Sequence, residues 1–304
     1  VLNALRVGYS VFRYRGGLGQ WAWGVNRVAG LGLLLFLALH IFDIFLIGFG
    51  PQLFEDLLFL YKGPIPRVLA VFLAFGLLYH GLNGLRLTLM DFVPRTARYH
   101  LPLFYLQFVL FLALFLPAGT VMLKEYWGVA VGIAGSLAMV ALPFVIAIAA
   151  QMAPPSGDDV QVSGGNSAAA ARQTASARGR AHSGSEYYLW LFMRVSGLLL
   201  IFLAFFHFYI MHFIIGVEKI TFQTIVERWT DPAQAAFWRT YDLLLLIFAF
   251  THGVNGARMV IADYFHSPGW RAFLKIGLFL FWFVLMGMGM FIIFTFNPGT
   301  LPAK

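Results

Sequence analysis

The chain has 304 residues, 60% hydrophobic and 11% charged, with a formal net charge of +8 and no cysteine. Soluble domains carry about 25% charged residues, so a soluble globule is excluded, and without cysteine so are disulfides, iron–sulfur clusters, thiolate-bound metals and attachment through Cys-x-x-Cys-His. The apolar residues come in runs of the ~20 that cross a ~30 Å hydrocarbon core and not in alternating barrel strands, so the fold class is an all-α polytopic membrane protein, its positive charge reading as basic cytoplasmic loops and not as a nucleic-acid surface.

Residues 1–23 hold Arg6, Arg13, Arg15, Trp21 and Trp23. They read as a cytoplasmic interfacial arm without the apolar stretch of a cleavable signal peptide. The first span is expected over 25–49, carrying Arg27, Gly30 and His40. A loop with Pro51, Pro64 and Pro66 and room for a short helix leads to a second span over 67–91. Arg95, Arg98 and His100 mark a basic turn before a third span over 103–123. The polar connection Lys124-Glu125-Tyr126 leads to a fourth over 129–150. Residues 151–186 are rich in Pro, Gly, Ser and Ala and read as a flexible linker. Three more spans follow over 187–215, 239–263 and 270–296, with a polar loop at 216–238.

The two halves repeat. His80-Gly-Leu-Asn-Gly-Leu-Arg86-Leu-Thr-Leu-Met-Asp91-Phe92 returns as His252-Gly-Val-Asn-Gly-Ala-Arg258-Met-Val-Ile-Ala-Asp263-Tyr264, identical at six of thirteen positions. Arg27-Val-Ala-Gly30 returns as Arg194-Val-Ser-Gly197. Each of Arg27, Arg67, Arg194 and Arg239 precedes a histidine by thirteen residues (His40, His80, His207 and His252). Three spans per repeat leave the chain on the wrong side to begin a parallel copy, and 129–150 supplies the extra crossing. The expected units are therefore a repeat at 1–128, a connecting helix at 129–150, the linker at 151–186 and a second repeat at 187–304. Most Lys and Arg fall on the cytoplasmic side if the N-terminus is cytoplasmic.

Ionisable residues inside a span are expensive and mark function. A helix rises ~1.5 Å per residue, so His40 and His207 lie at one depth and His80 and His252 at another, nearer the cytoplasm. Each pair takes one imidazole from each half. Four helices that supply paired histidines form a place to hold a cofactor, and two bis-histidine haems stacked across the membrane follow. Gly84 and Gly256 share a helix face with the inner histidines. Gly30 and Gly197, ten residues before the outer ones, fall near the inner level. Such glycines would let a porphyrin approach the backbone, or serve as small-residue helix contacts. Arg86 and Arg258 suit porphyrin propionates, or snorkel to the interface. His212 points elsewhere than His207 and lacks a repeat partner. His100, His182 and His266 fall outside the spans.

These motifs resemble the membrane-anchor subunits of succinate dehydrogenase/fumarate reductase, respiratory complex II. Arg27 to Gly30 with His40, and His80 with Gly84, Arg86 and Asp91, look like the cytochrome b (C-type) anchor. Arg194 to Gly197 with His207, and His252 with Asp263-Tyr264, look like the D-type anchor. The likeness leaves out 129–150 and the linker, the parts needed to fuse two anchors into one chain. The resemblance implies two haem b groups with His40, His80, His207 and His252 as axial ligands, and Arg27, Asp91, Asp263 and Tyr264 at a quinone site. It further implies cytoplasmic flavoprotein and iron–sulfur partner subunits, a prokaryotic plasma membrane and, in some assemblies, a homotrimer. Single-haem ubiquinone enzymes have Ser four positions before that arginine. Here it is Trp23, so the quinone pocket departs from theirs, and since di-haem relatives often use menaquinone, the resemblance favours menaquinone over ubiquinone. Two other readings are a quinol-oxidising subunit of another dehydrogenase and a parallel-repeat transporter without haem.

Overall fold

The computed structural model describes residues 18–61, 63–152 and 184–300. Most of the expected N-terminal arm (1–17) and linker (153–183) lies outside these. Among the described residues the elements are α1 (Leu18–Phe45), α2 (Pro51–Tyr61), α3 (Pro64–Phe92), α4 (His100–Met152), α5 (Gly184–Tyr209), α6 (Phe222–Thr230), α7 (Ala235–Tyr264) and α8 (Pro268–Thr295), with short 3-10 and π turns between. Pro64 and Pro268 sit in the first turns of α3 and α8, where a missing N–H goes unnoticed.

Seven stretches are long and apolar enough to cross a membrane: Trp21–Phe49, Pro64–Phe92, Pro94–Glu125, Trp127–Ile146, Gly184–Ile215, Ala235–Tyr264 and Pro268–Thr295. These correspond to the seven expected spans. The protein is a multi-pass membrane protein, all helical among the described residues. Its outward side chains are apolar: Leu35, Phe202 and Phe283 are all about two-thirds exposed, as lipid-facing surface must be.

The turn between the third and fourth spans differs from expectation. Lys124-Glu125-Tyr126 remain helical, and α4 reverses at Gly128, with φ +80°. A side chain there would be strained, so a single glycine does the work of a loop. The two arms then close tightly. Phe108 meets Phe144 at 5.8 Å, and a Cβ on Gly132 would come 2.9 Å from the Thr120 carbonyl oxygen.

Four helices form the core. Close packing runs α1–α3, α3–α5, α5–α7 and α7–α1 around a ring, with α4 against α3, and α8 against α7 and α1. Aromatic residues set the α3–α4 register: Phe75 on Phe115 at 5.4 Å, Tyr79 on Phe111 at 5.6 Å. A second apolar cluster, including Leu34, Ile41, Leu246, Phe250 and Ile293, joins α1, α7 and α8. The halves thus share one bundle, and α1 and α5 start on the face where α3 and α7 end. We call this the near face.

On the far face, charged residues tie connections to helices. Arg67 is buried and pairs with Glu218, after α5. Arg228 pairs with Asp242 at 3.3 Å, and the Trp229 indole donates to the same carboxylate at 2.8 Å. Arg239 donates to the carbonyls of Ile293, Phe296 (2.8 Å) and Trp229 (2.9 Å), capping the end of α8. Charge-assisted hydrogen bonds contribute about 1.5–3 kcal/mol each, and orphaned buried carbonyls add a penalty. Arg239→Ala is therefore expected to destabilise the far face by about 3 kcal/mol, seen as earlier thermal unfolding in detergent. An unchanged midpoint would show that water replaces the cap.

Candidate cofactor site between the core helices

The histidines stand on diagonals of the ring. His40 on α1 and His207 on α5 have ring centres 6.2 Å apart, with planes at 71°. His80 on α3 and His252 on α7 have ring centres 6.3 Å apart, at 85°. Metal–imidazole bonds of ~2 Å on opposite sides of one iron put ring centres ~6 Å apart, so the spacing of both pairs fits bis-imidazole ligation. The ring of Phe36 stacks on His40 at 5.5 Å, and that of Tyr241 on His207 at 6.5 Å.

The near pair, His80 and His252, is anchored by hydrogen bonds. His80 Nδ1 donates to the Asn26 main-chain carbonyl at 3.0 Å. His252 Nδ1 lies 2.8 Å from Ser196 Oγ. Gly30 and Gly197 lie at this level, as their spacing implied, but it is the imidazoles that fill the space. A Cβ on Gly30 would stand 2.9 Å from His80 Cε1, and one on Gly197 3.3 Å from His252 Cε1. Because Gly30 touches His80 and precedes His40 by ten residues, the two pairs lie ~15 Å apart along α1. Gly84 behaves differently: a Cβ there meets nothing within 4 Å. Gly256 has only Met193 at 3.9 Å. Open space beside Gly84 suits a flat macrocycle on the face of α3.

Toward the near face each half's first-span arginine reaches the other half's aspartate. Arg27 pairs with Asp263, and Arg194 with Asp91 at 2.5 Å. Spacing along the chain did not reveal these crossed pairs. Each arginine also lies over the tryptophan one turn before it, Arg27 over Trp23 at 4.1 Å and Arg194 over Trp190 at 5.7 Å. The Trp-x-x-x-Arg repeat was visible in the sequence and is part of the same plan. The two cradles then diverge. The Tyr264 ring stands 5.9 Å from Arg27, whereas its counterpart Phe92 meets Trp190 edge-on at 6.1 Å. Arg27 Nη1 is buried without a hydrogen-bond partner among the described residues. Of the four expected quinone-site residues, Arg27, Asp263 and Tyr264 share one cradle, and Asp91 belongs to the other.

Arg86 and Arg258 also differ. Arg258 Nε donates to Asn255 Oδ1 at 2.8 Å, and its terminal nitrogens hold the Glu186 carboxylate at 3.0 and 3.1 Å. Arg86 lies 5.3 Å over Phe104, and its Nε is buried and unpartnered. The first-half counterpart of Glu186 is Gly19, which offers no carboxylate. Arg86 thus has donors to spare for an anionic group, and Arg258 is engaged by the protein. Sequence reasoning passed over Asn83, 1% exposed with neither amide atom partnered. The α3–α4 register puts Gln107, equally buried and unpartnered, opposite it. Asn83 was legible as one of the six identical repeat positions.

The remaining histidines stand apart. His212 lies in a π turn over Ile210–Ile215 with its ring 4.7 Å from Phe208. His100 and His266 are exposed, and His182 lies outside the described residues. No group of three or more His, Asp or Glu able to hold a bare metal ion occurs among the described residues. Two imidazoles per site would suit an iron whose remaining ligands come with it.

A bundle of seven spans, with two diagonal histidine pairs at its core and crossed Arg–Asp pairs toward the near face, defines a class of multi-pass helical membrane protein. Residues 8–116 and 169–294 match the family described as succinate dehydrogenase/fumarate reductase transmembrane subunit, and the chain belongs to that family. It is 34% identical over 114 residues to the succinate dehydrogenase 2 membrane subunit SdhC of Mycobacterium tuberculosis, covering 38% of this chain and 84% of that one. It is 38% identical over 74 residues to the succinate dehydrogenase hydrophobic membrane anchor subunit of Archaeoglobus fulgidus, covering 24% of this chain and 59% of the relative.

Proposed function

We propose that the chain is a fused C-type and D-type anchor, with units at 1–128, 129–150, 151–186 and 187–304, that binds two haem b groups and reduces a membrane quinone. The observation that carries this is the pair of diagonals, His40 with His207 and His80 with His252, whose ring centres stand 6.2 and 6.3 Å apart, a spacing that would admit one iron between two imidazoles. Haem held on those imidazoles supplies one-electron transfer across the bundle.

The chain's own residues do the rest. Gly30 and Gly197 admit the imidazole edges, and Gly84 leaves room on the face of α3. Arg86, whose Nε is unpartnered, offers guanidinium donors to a propionate, while Arg258 braces α7 against α5 through Glu186. At the near face Arg27 Nη1 and the Tyr264 hydroxyl donate to a quinone oxygen. Asp263, about half exposed and held by Arg27, delivers protons from solvent. Trp23 forms an apolar wall beside Arg27 and offers no hydroxyl toward the ring, which favours menaquinone. The near face is then cytoplasmic, with the N-terminus on it, in a prokaryotic plasma membrane. There it receives electrons from an iron–sulfur subunit fed by a flavoprotein that oxidises succinate. The assembled complex is open to homotrimer formation in the bilayer.

Succinate added to membranes holding the assembled complex is expected to reduce b-type haem absorbance, reversed by a menaquinone analogue faster than by a ubiquinone analogue. Haem that stays oxidised under succinate but reduces with dithionite would overturn the succinate assignment. Gly84→Leu separates porphyrin from helix contact. It is expected to lower haem content while leaving the haem-free chain folded, since a Cβ there meets nothing within 4 Å among the described residues. Unchanged haem content would place the macrocycle elsewhere.

A further inference from the structure

The two histidine pairs are held by different means, and one of those means is a removable side chain. Ser196 lies on α5 between Arg194 and Gly197 and is fully buried. Its hydroxyl donates to the Phe192 carbonyl one turn earlier, at 2.5 Å. A serine hydroxyl has one proton. With that proton given to Phe192, Oγ can only accept from the ring nitrogen 2.8 Å away, His252 Nδ1. Nδ1 therefore carries the hydrogen, and in a neutral imidazole the lone pair is then on Nε2. Gly197 lets the Cε1 edge of the same ring come close to α5.

The other half reaches the same end differently. Ala29 stands where Ser196 does in the repeat, and His80 Nδ1 donates to the Asn26 main-chain carbonyl at 3.0 Å. No side-chain substitution removes that acceptor. Among the described residues the far pair shows no such anchor. His40 and His207 lie against Phe36 and Tyr241, and His207 Nδ1 is buried without a hydrogen-bond partner.

We infer that Ser196 is a positioning residue for His252: it fixes the Nε2-ligating tautomer and sets the donor strength of one axial ligand of the near haem. The inference rests on the haem reading above. A hydrogen bond from the distal N–H raises the basicity of a ligating imidazole and is part of how a protein tunes a metal. A more basic ligand favours the oxidised iron, so losing the bond raises the midpoint potential. A serine that served only as a small helix contact would need its bond to Phe192 and nothing more, and its loss would move no potential.

The test is a spectroscopic redox titration of the assembled complex with wild-type chain, Ser196→Ala and Ser196→Cys, after haem content is measured in each. The expected result is two haems throughout, with one midpoint raised in Ser196→Ala, raised less in Ser196→Cys, and the other midpoint unmoved. Two haems with both midpoints unchanged, or both displaced equally, would overturn the assignment of Ser196 and leave haem ligation standing. If Ser196→Ala releases one haem, retention by Ser196→Cys with an intermediate midpoint supports the role of a polar acceptor, and release by both overturns it. Wild-type chain without haem would instead overturn the haem reading itself.

Discussion

Arg27→Ala is expected to lower succinate-driven quinone reduction about 100-fold, the usual loss when one preorganised donor at a reacting oxygen is removed. Two things go at once. On the proposed function the buried, unpartnered Nη1 would be the donor to a quinone oxygen, and the same guanidinium pairs with Asp263. Its twin makes an internal control. Arg194→Ala removes an ion pair of the same construction, but the twin cradle has Phe92 where the first has Tyr264, and so lacks that hydroxyl. Arg194→Ala is expected to change turnover by only a small factor. Neither change should cost much stability, because the aspartates are a third to a half exposed and such pairs contribute about 1 kcal/mol or less. Steady-state turnover with a soluble quinone analogue, at matched haem content, reads the difference. Equal losses in the two variants would place the quinone elsewhere or make both cradles active.

Gly30→Ala is expected to abolish binding of the near haem while leaving the far one in place. An alanine Cβ would stand 2.9 Å from His80 Cε1, against ~3.5–4.0 Å for a comfortable carbon contact. The ring would have to move by several tenths of an ångström, and metal-ligand distances tolerate about 0.2 Å. Helix propensity works in the opposite direction. Exchanging glycine for alanine inside a helix gains about 1 kcal/mol, so the haem-free variant should be at least as stable as wild type. That combination separates a displaced ligand from a misfolded chain. Gly197→Ala, with 3.3 Å to His252 Cε1, should weaken haem binding less. Haem per chain and thermal unfolding, measured on the same preparations, decide it.

Much of this architecture was legible because membrane folding is governed by length and polarity. Runs of ~20 apolar residues announce spans, and a fixed rise per residue turns spacing into depth. That is why His40 could be set level with His207, and His80 with His252, before any coordinates. What spacing could not supply was the order of helices around the bundle. Crossed pairing of Arg27 with Asp263 and of Arg194 with Asp91 depends on α1 lying beside α7 and α3 beside α5, which is a matter of three dimensions. Spacing put Gly30 at the right level but left open what fills the gap, and an imidazole edge fills it. The turn at Gly128 was hidden because Lys124 and Glu125 drew attention as polar breakers. Arg86 and Arg258 looked equivalent in the repeat, and Glu186, outside the repeated motif, helps tell them apart. Ser196 passed as a variable position beside Ala29 because its meaning lies in the proton it gives to Phe192.

The most direct measurement is haem per chain, with dithionite-reduced minus oxidised spectra, on wild type, His40→Ala and His80→Ala. Two b-type haems in wild type and one in each variant, with different spectral components lost, are expected from the two diagonals. One haem in wild type, lost only with His80→Ala, would reduce His40 and His207 to packing residues. No haem in carefully prepared wild-type complex would contradict the ligand assignment altogether.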